Sequence, residues 1–416
     1  MSTRFAWLLG VVALVAIGVL VACGTTYNAS SDGLVLVGTQ GSAAIQTFSF
    51  NLGNGHISAV YNSTSSTVAS TCILPGLPSS LVLDPAGAYA YAIINKATAC
   101  DTATNKTING ILAFKVNSGG TLTMVGQVVP DPNPVALAMD SAGKFLFVAE
   151  GGGVNSYTIS GGTLTPVQSS FTLPAAIQPP NFVALAATPT VLPRNGISGQ
   201  NSVCSDPGNN PPTSEYLYAV DSVNNVIVEF GVNTSTGALT NAGQTVPTST
   251  GSVPMGVAVD PCNRFVYVAN NQSNTISAWK LCSVVSVAAG CPNADGSLVT
   301  IPGSPFSLSG GGANEPGPIL VDPFGATLYV LATGSGTVST FRISPVSGGL
   351  TPGSPATVAT GVRPTSIAIR SDDSWLFVTN HDSGSLSQYS ITPATGALTP
   401  EVATTTDNYP WGVAVK

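Results

Sequence analysis

The sequence predicts an all-β fold: a seven-bladed β-propeller with four antiparallel strands per blade, the ring closed by the C-terminal strand pairing with the N-terminal blade. Three observations predict it. A two-strand unit recurs along the chain, two further strand-like segments follow each copy, and the chain begins and ends out of phase with that unit. Composition agrees. Of 416 residues only 7% are charged, while 45 are Gly and 31 are Pro. So little charge cannot line the wet faces of long helices, whereas Ser, Thr, Asn and Gly suit strands and turns.

The first two strands of the unit, a and b, are plainest in Gly256-Val-Ala-Val-Asp-Pro-Cys-Asn-Arg-Phe-Val-Tyr-Val-Ala-Asn270. Ala136–Glu150 and Pro318–Ala332 repeat it closely, and Ser80–Ile94 and Ser366–Asn380 more loosely. Each copy is a short apolar run, a tight turn and a second apolar run. Asp-Pro-x-Gly suits the turn because Asp accepts nearby N–H groups, Pro presets φ and Gly relieves crowding. Asp84, Asp140, Asp260 and Asp322 are therefore read as turn formers rather than ligands.

The third strand, c, alternates apolar and polar residues, as in Asn274–Lys280, Gly336–Arg342 and Gly384–Ser390. That is the mark of a strand with one buried face. A Gly-rich turn and a fourth strand, d, complete the unit, as in Thr236–Thr240 and Thr395–Thr399. Between Asp140 and Asp260 the spacing doubles and hides a degenerate copy, with strand a at 182–187 and strand b at 216–220. The count is then seven. The chain starts with a b strand at Gly33-Leu-Val-Leu-Val-Gly38 and ends with an a strand at Trp411-Gly-Val-Ala-Val415. Pairing the two closes a ring and removes two sheet edges. A linear β-solenoid, the rival architecture, needs no such complementary phase.

Ahead of the repeats, Arg4 precedes an apolar run to Ala22, and Leu20-Val-Ala-Cys23 follows the pattern of a bacterial lipobox. Residues 1–22 read as a lipoprotein signal peptide, 23–32 as a tether lipidated at Cys23, and 33–416 as the propeller. An uncleaved anchor is the alternative, since the run is long enough to span a bilayer. Either way the body of the chain is exported and membrane-anchored on the periplasmic or extracellular side of the envelope. Gly24 in place of an inner-membrane-retaining Asp favours the outer membrane. The remaining cysteines, Cys72, Cys100, Cys204, Cys262, Cys282 and Cys291, are even in number, as disulfides in an oxidising compartment require. Shared faces and neighbouring blades suggest the pairs 72–100, 204–262 and 282–291. No CxxC spacing and only two His leave no metal site to expect, and no cofactor is implied. A net charge of −7 argues against nucleic acid.

Because successive strands are antiparallel, a–b and c–d turns share one face of the ring, and b–c and d–a loops share the other. The second face gathers Lys96, Glu150, Asp221, Asn270, Asn271, His381 and Asp382 from b–c loops, and Asn133, Glu315, Arg363, Tyr409 and Trp411 from d–a loops. Glu150, Asp221 or His381 could act as a base on water, and Arg363 could stabilise an oxyanion. Asp221, Asn270, Glu315, Asp382, Tyr409 and Trp411 are candidate binding residues. The plain alternative is that these are solvated loops.

Tyr267-Val-Ala-Asn270 and Phe377-Val-Thr-Asn380 resemble the repeats of YVTN-type propellers, and residues 33–416 are similar to the lactonase-like seven-bladed propeller family. That family includes 6-phosphogluconolactonases and cycloisomerases acting on carboxymuconate, so the resemblance implies the fold and a possible lactone substrate. The family's Pro-His-x-His-like stretch is missing: Leu77-Pro-Ser-Ser80 and Asn133-Pro-Val-Ala136 stand in its place. His56 lies near a c–d turn on the opposite face. The expected function is thus a lipid-anchored binding or scaffold module for a protein, glycan or small lactone, with lactone hydrolysis as the alternative.

Overall fold

The computed structural model describes residues 32–60, 77–98, 107–150, 152–167, 173, 177, 179–189, 215–241, 248–282, 291, 294–308 and 314–416. Cys23 and the rest of the N-terminal segment, Cys72, Cys100, Cys204 and most of the Thr188–Ser214 insertion lie outside them.

Seven antiparallel sheets form the ring, each ordered a, b, c, d from the axis outward. The inner strands of blades 2 to 7 are Leu77–Leu83, Pro134–Met139, Phe182–Ala187, Pro254–Val259, Pro316–Val321 and Pro364–Ile369. The inner strand of blade 1 is the C-terminal Pro410–Val415. It pairs with Asp32–Thr39, placing Leu36 opposite Ala414 and Val37 opposite Val413. It also packs beside the inner strands of blades 2 and 7, so the circle is complete. The complementary phase of the two ends has this outcome. In blades 4, 5 and 7 the outer edge is built of two short pieces, both paired with strand c.

Strand b carries the core. Phe265–Asn270 is buried throughout, because its side chains alternate between two interblade layers. Phe265, Tyr267 and Ala269 pack against Leu328, Val330 and Ala332 of blade 6. Val266 and Val268 pack against Tyr218 and Val220 of blade 4. A nearly continuous apolar run is what a strand covered on both faces demands. Tyrosines on strand b also tie consecutive blades together. The hydroxyls of Tyr218, Tyr267 and Tyr329 donate to the carbonyls of Gly296, Gly348 and Gly396 in the next blade's c–d turn, the last two at 2.9 Å.

The a–b turns form a second ring. Asp140 accepts backbone N–H bonds from Lys144 and Phe145, both at 2.6 Å. Asp84 and Asp322 do the same work, and Asp260 adds two bonds from the Arg264 guanidinium at 2.8 and 2.9 Å. In degenerate blade 4 the hydroxyl of Thr188 takes over, accepting from Tyr216 N at 2.8 Å. Three residues past each turn Asp the chain turns left-handed: Gly87, Gly143, Asn263 and Gly325 have φ between 54° and 70°. These residues back onto the previous blade, so a Cβ on Gly325 would lie 2.4 Å from an Asp260 carboxylate oxygen. Blade 7 breaks both rules, with Arg370 at the Asp position and Asp373 at the left-handed one, φ 57°. Cys282 and Cys291 form a disulfide closing the c–d connection of blade 5. Cys262 is disulfide-bonded as well.

Candidate functional site

The b–c and d–a loops surround a cavity of about 1300 Å³ at one end of the axis, continuing into a narrower channel between the inner strands. Its rim is built by one repeated device. The residue before the first proline of the inner strand is left-handed in Val253, Glu315, Arg363 and Tyr409, with φ between 48° and 58°. Its carbonyl accepts from the first residue of the neighbouring b–c turn: Asn271 N to Val253 at 2.8 Å, Thr333 N to Glu315 at 3.1 Å, His381 N to Arg363 at 3.0 Å, and Gln40 N to Tyr409 at 3.0 Å. The register of strands a and b shifts just beyond in each of these blades. Backbone strain of this kind persists where surrounding structure fixes it, and here it sets side chains around the mouth.

A second device lies beneath. Asn270 and Asn380, the last residues of the YVTN-like runs, are fully buried. Asn380 accepts from Gly361 N at 3.0 Å and donates to the hydroxyls of Ser385 and Ser387 at 3.1 and 2.9 Å. Asn270 bonds Gly251 N, Thr275 and Ser277 in the same way. Each amide clips a d–a loop to strand c. Asn270 therefore serves the frame of the site and is absent from the cavity wall. Asp221, at the same register position in blade 4, is also fully buried and caps its turn through the N–H groups of Val223 and Asn224, both at 3.0 Å.

Blade 3 replaces this clip with two carboxyls. Glu150 stands where Asn270 stands, and Asp131 where Gly251 stands. The Asn155 amide donates to both, and the Tyr157 hydroxyl donates to Asp131 at 3.1 Å. Burial pushes the Asp131 carboxyl up, and burial and then the neighbouring Asp131 push Glu150 up. Glu150 is thus held in a loop joint of blade 3, away from the cavity wall.

Across the ring, at blades 7 and 1, five of the expected residues come together. His381 Nδ1 lies 2.5 Å from an Asp382 carboxylate oxygen, and an Arg363 Nη1 lies 3.4 Å from each. The His381 ring sits 5.0 Å from Tyr409 and 5.2 Å, edge-on, from Trp411. Arg363 also covers Trp411 at 5.7 Å. The hydrogen bond from His381, followed by the charge of Arg363, holds the Asp382 carboxyl below its ordinary range. Of this group Arg363 and Trp411 line the cavity, as do Glu315 and Asn271. Asn133 is exposed, and the Lys96 side chain lies outside the described residues.

The opposite wall consists of Val135, Val183 and Met255. In the sequence these read as ordinary strand residues. Their signal is positional: Val135 and Met255, like Trp411, follow the first proline of an inner strand. Among the described residues no group of His, Cys, Asp or Glu could hold a metal ion.

No curated protein matches the chain significantly. Residues 211–415 match the family described as lactonase, 7-bladed beta-propeller. Among solved structures, a candidate 6-phosphogluconolactonase from Bacteroides fragilis is 21% identical with a TM-score of 0.66, the match covering 94% of this chain and 100% of that one. A periplasmic gluconolactonase from Pseudomonas aeruginosa is 18% identical with the same TM-score, over 92% of this chain and 99% of that one. These likenesses establish the fold. With its seven four-stranded blades and terminal closure, the chain has the fold of the lactonase-like seven-bladed β-propellers, and its second half is similar to that family.

Proposed function

We propose that the protein is a non-catalytic binding module, tethered to the cell envelope through lipidated Cys23, that takes a small ligand in its axial cavity. The observation that supports this best is the separation of the residues a hydrolase would combine. Glu150 is committed to a loop joint in blade 3, and the Arg363–His381–Asp382 group belongs to blade 7. Their contacts do not overlap, whereas acid–base chemistry needs its groups within hydrogen-bond reach of one bound substrate. A concave cavity with a few polar groups on one wall and an apolar wall facing them suits binding without further machinery.

One observation favours the second reading, lactone hydrolysis. Asp382 holds Nδ1 of His381, which orients the ring and leaves Nε2 to accept a proton from water, and Arg363 is at hand for a developing oxyanion. Purified protein assayed against a panel of lactones decides between them. The binding reading expects hydrolysis at the uncatalysed rate. Turnover that disappears in His381→Ala would establish the enzyme instead. The tether is tested in cells: Cys23→Ala is expected to move the chain from the membrane fraction to the soluble one.

A further inference from the structure

The cavity wall carries two charged side chains among the described residues, Glu315 and Arg363. They occupy the same left-handed, pre-proline position in neighbouring blades 6 and 7. No ion pair joins them, and Glu315 has no ionic partner among the described residues. Arg363 engages Asp382 and His381 through Nη1 only, which leaves Nε and Nη2 as donors. The far wall is apolar and wet: Val135 is 41% and Met255 39% exposed, high values for large apolar side chains inside a concavity.

Resting on the cavity-binding reading above, we propose that the ligand is a small zwitterion bearing one apolar side chain, of the size of an aromatic amino acid or a dipeptide. An ammonium group would sit on Glu315 and a carboxylate on the free edge of Arg363, each a charge-assisted contact. The apolar side chain would cross the axis to Val135, Val183 and Met255, removing their surface from water. Two opposite charges on neighbouring blades of one cavity wall, not paired with each other, are complementary to a molecule that carries both. A polyhydroxylated sugar acid fits less well. It has no cation for Glu315, and hydroxyls turned toward the apolar wall would lose water without gaining partners.

Isothermal titration of the full-length protein tests this with L-phenylalanine, Ala-Phe, N-acetyl-Ala-Phe, Ala-Phe amide and gluconate. The tighter of the first two identifies the size of the natural ligand. Blocking the ammonium or the carboxylate should each weaken binding about tenfold, the scale of one charge-assisted contact in a partly open site. In Glu315→Gln the acetylated and free dipeptides should bind equally, and in Arg363→Met the amide and free dipeptides should bind equally. Melting curves of both variants check that they fold. Binding of gluconate in preference to both zwitterions, equal binding of blocked and free dipeptides to the wild type, or no heat from any probe would overturn the proposal. A positive lactone assay is a separate result and would overturn the non-catalytic reading instead.

Discussion

The two faces of the propeller use the repeat differently. On the a–b face blades 2, 3, 5 and 6 solve the same problem, a tight turn backed against its neighbour, and the residues that recur do so to fill the same role. On the cavity face the backbone repeats as faithfully, with left-handed pre-proline residues in four blades, but the side chains it displays do not. Val253, Glu315, Arg363 and Tyr409 share one conformation and have four different chemistries. The lesson is that a repeat motif reports the frame. Individuality at a fixed register position reports the site.

The clip residues test this most severely. Asn380→Ala removes a buried amide and strands Gly361 N and two hydroxyls, so a loss of about 2–4 kcal/mol in denaturant unfolding is expected. Asn270→Ala should cost a similar amount, since it breaks the same three contacts. If either variant unfolded like the wild type, these asparagines would be free for function and the division between frame and site would fail.

Blade 7 offers the converse test on the a–b face. Asp373 holds a left-handed position that glycine or asparagine holds in the other well-formed turns, and its buried Oδ1 has no hydrogen-bond partner. Burial, then the neighbouring Asp322, pushes its carboxyl up to about 8. Asp373→Gly should therefore stabilise the protein by about 1–2 kcal/mol near neutral pH, by relieving both the backbone strain and the cost of burying a carboxyl that must take up a proton on folding. Burial also raises Glu215 and Glu229 to about 8, and both their carboxylate oxygens lack partners. The sign of the pH effect follows. Between the unfolded carboxyl range and about 8 the folded state binds more protons, so stability falls as pH rises through that window. Melting should be higher at pH 5 than at pH 8, and Asp373→Gly should flatten the slope.

Much of this frame was legible in the sequence, because it rests on local chemistry. Asp-Pro-x-Gly announces a turn, alternation announces a half-buried strand, and the mismatched ends announce closure. The site was less legible because its residues are defined by what lies across the axis. Glu150 ends an apolar strand and Glu315 stands just before a proline-led one, and in neither case does the local sequence say whether the side chain meets Asp131 in a loop joint or faces the open cavity. A signal did exist in register. Aligning copies on the first proline of strand a sets Gly251 and Gly361 against Asp131, and Asn270 and Asn380 against Glu150. That shows a paired exchange of Gly and Asn for two acids, a structural swap. The five residues that do meet, Arg363, His381, Asp382, Tyr409 and Trp411, come from the last three loops that the chain sends to this face, which adjoin one another in the ring.

The smallest expected effect separates these two surfaces within a single blade. Asp382 touches both His381 and Arg363, yet the Arg363 and Asp382 side chains are 51% and 44% exposed. Exposed pairs of this kind add little to stability, because water and salt screen them and long side chains lose entropy in forming them. Asp382→Asn should leave the melting temperature unmoved, in contrast to Asn380→Ala two residues earlier. Its effect should fall on the cavity: with Asp382 neutral, Arg363 loses a competing anion, and a carboxylate probe should bind more tightly in low salt and less distinctly so in high salt. A clear drop in melting temperature would mean that the loop cluster belongs to the frame, and that the cavity face, like the face opposite, is built for stability first.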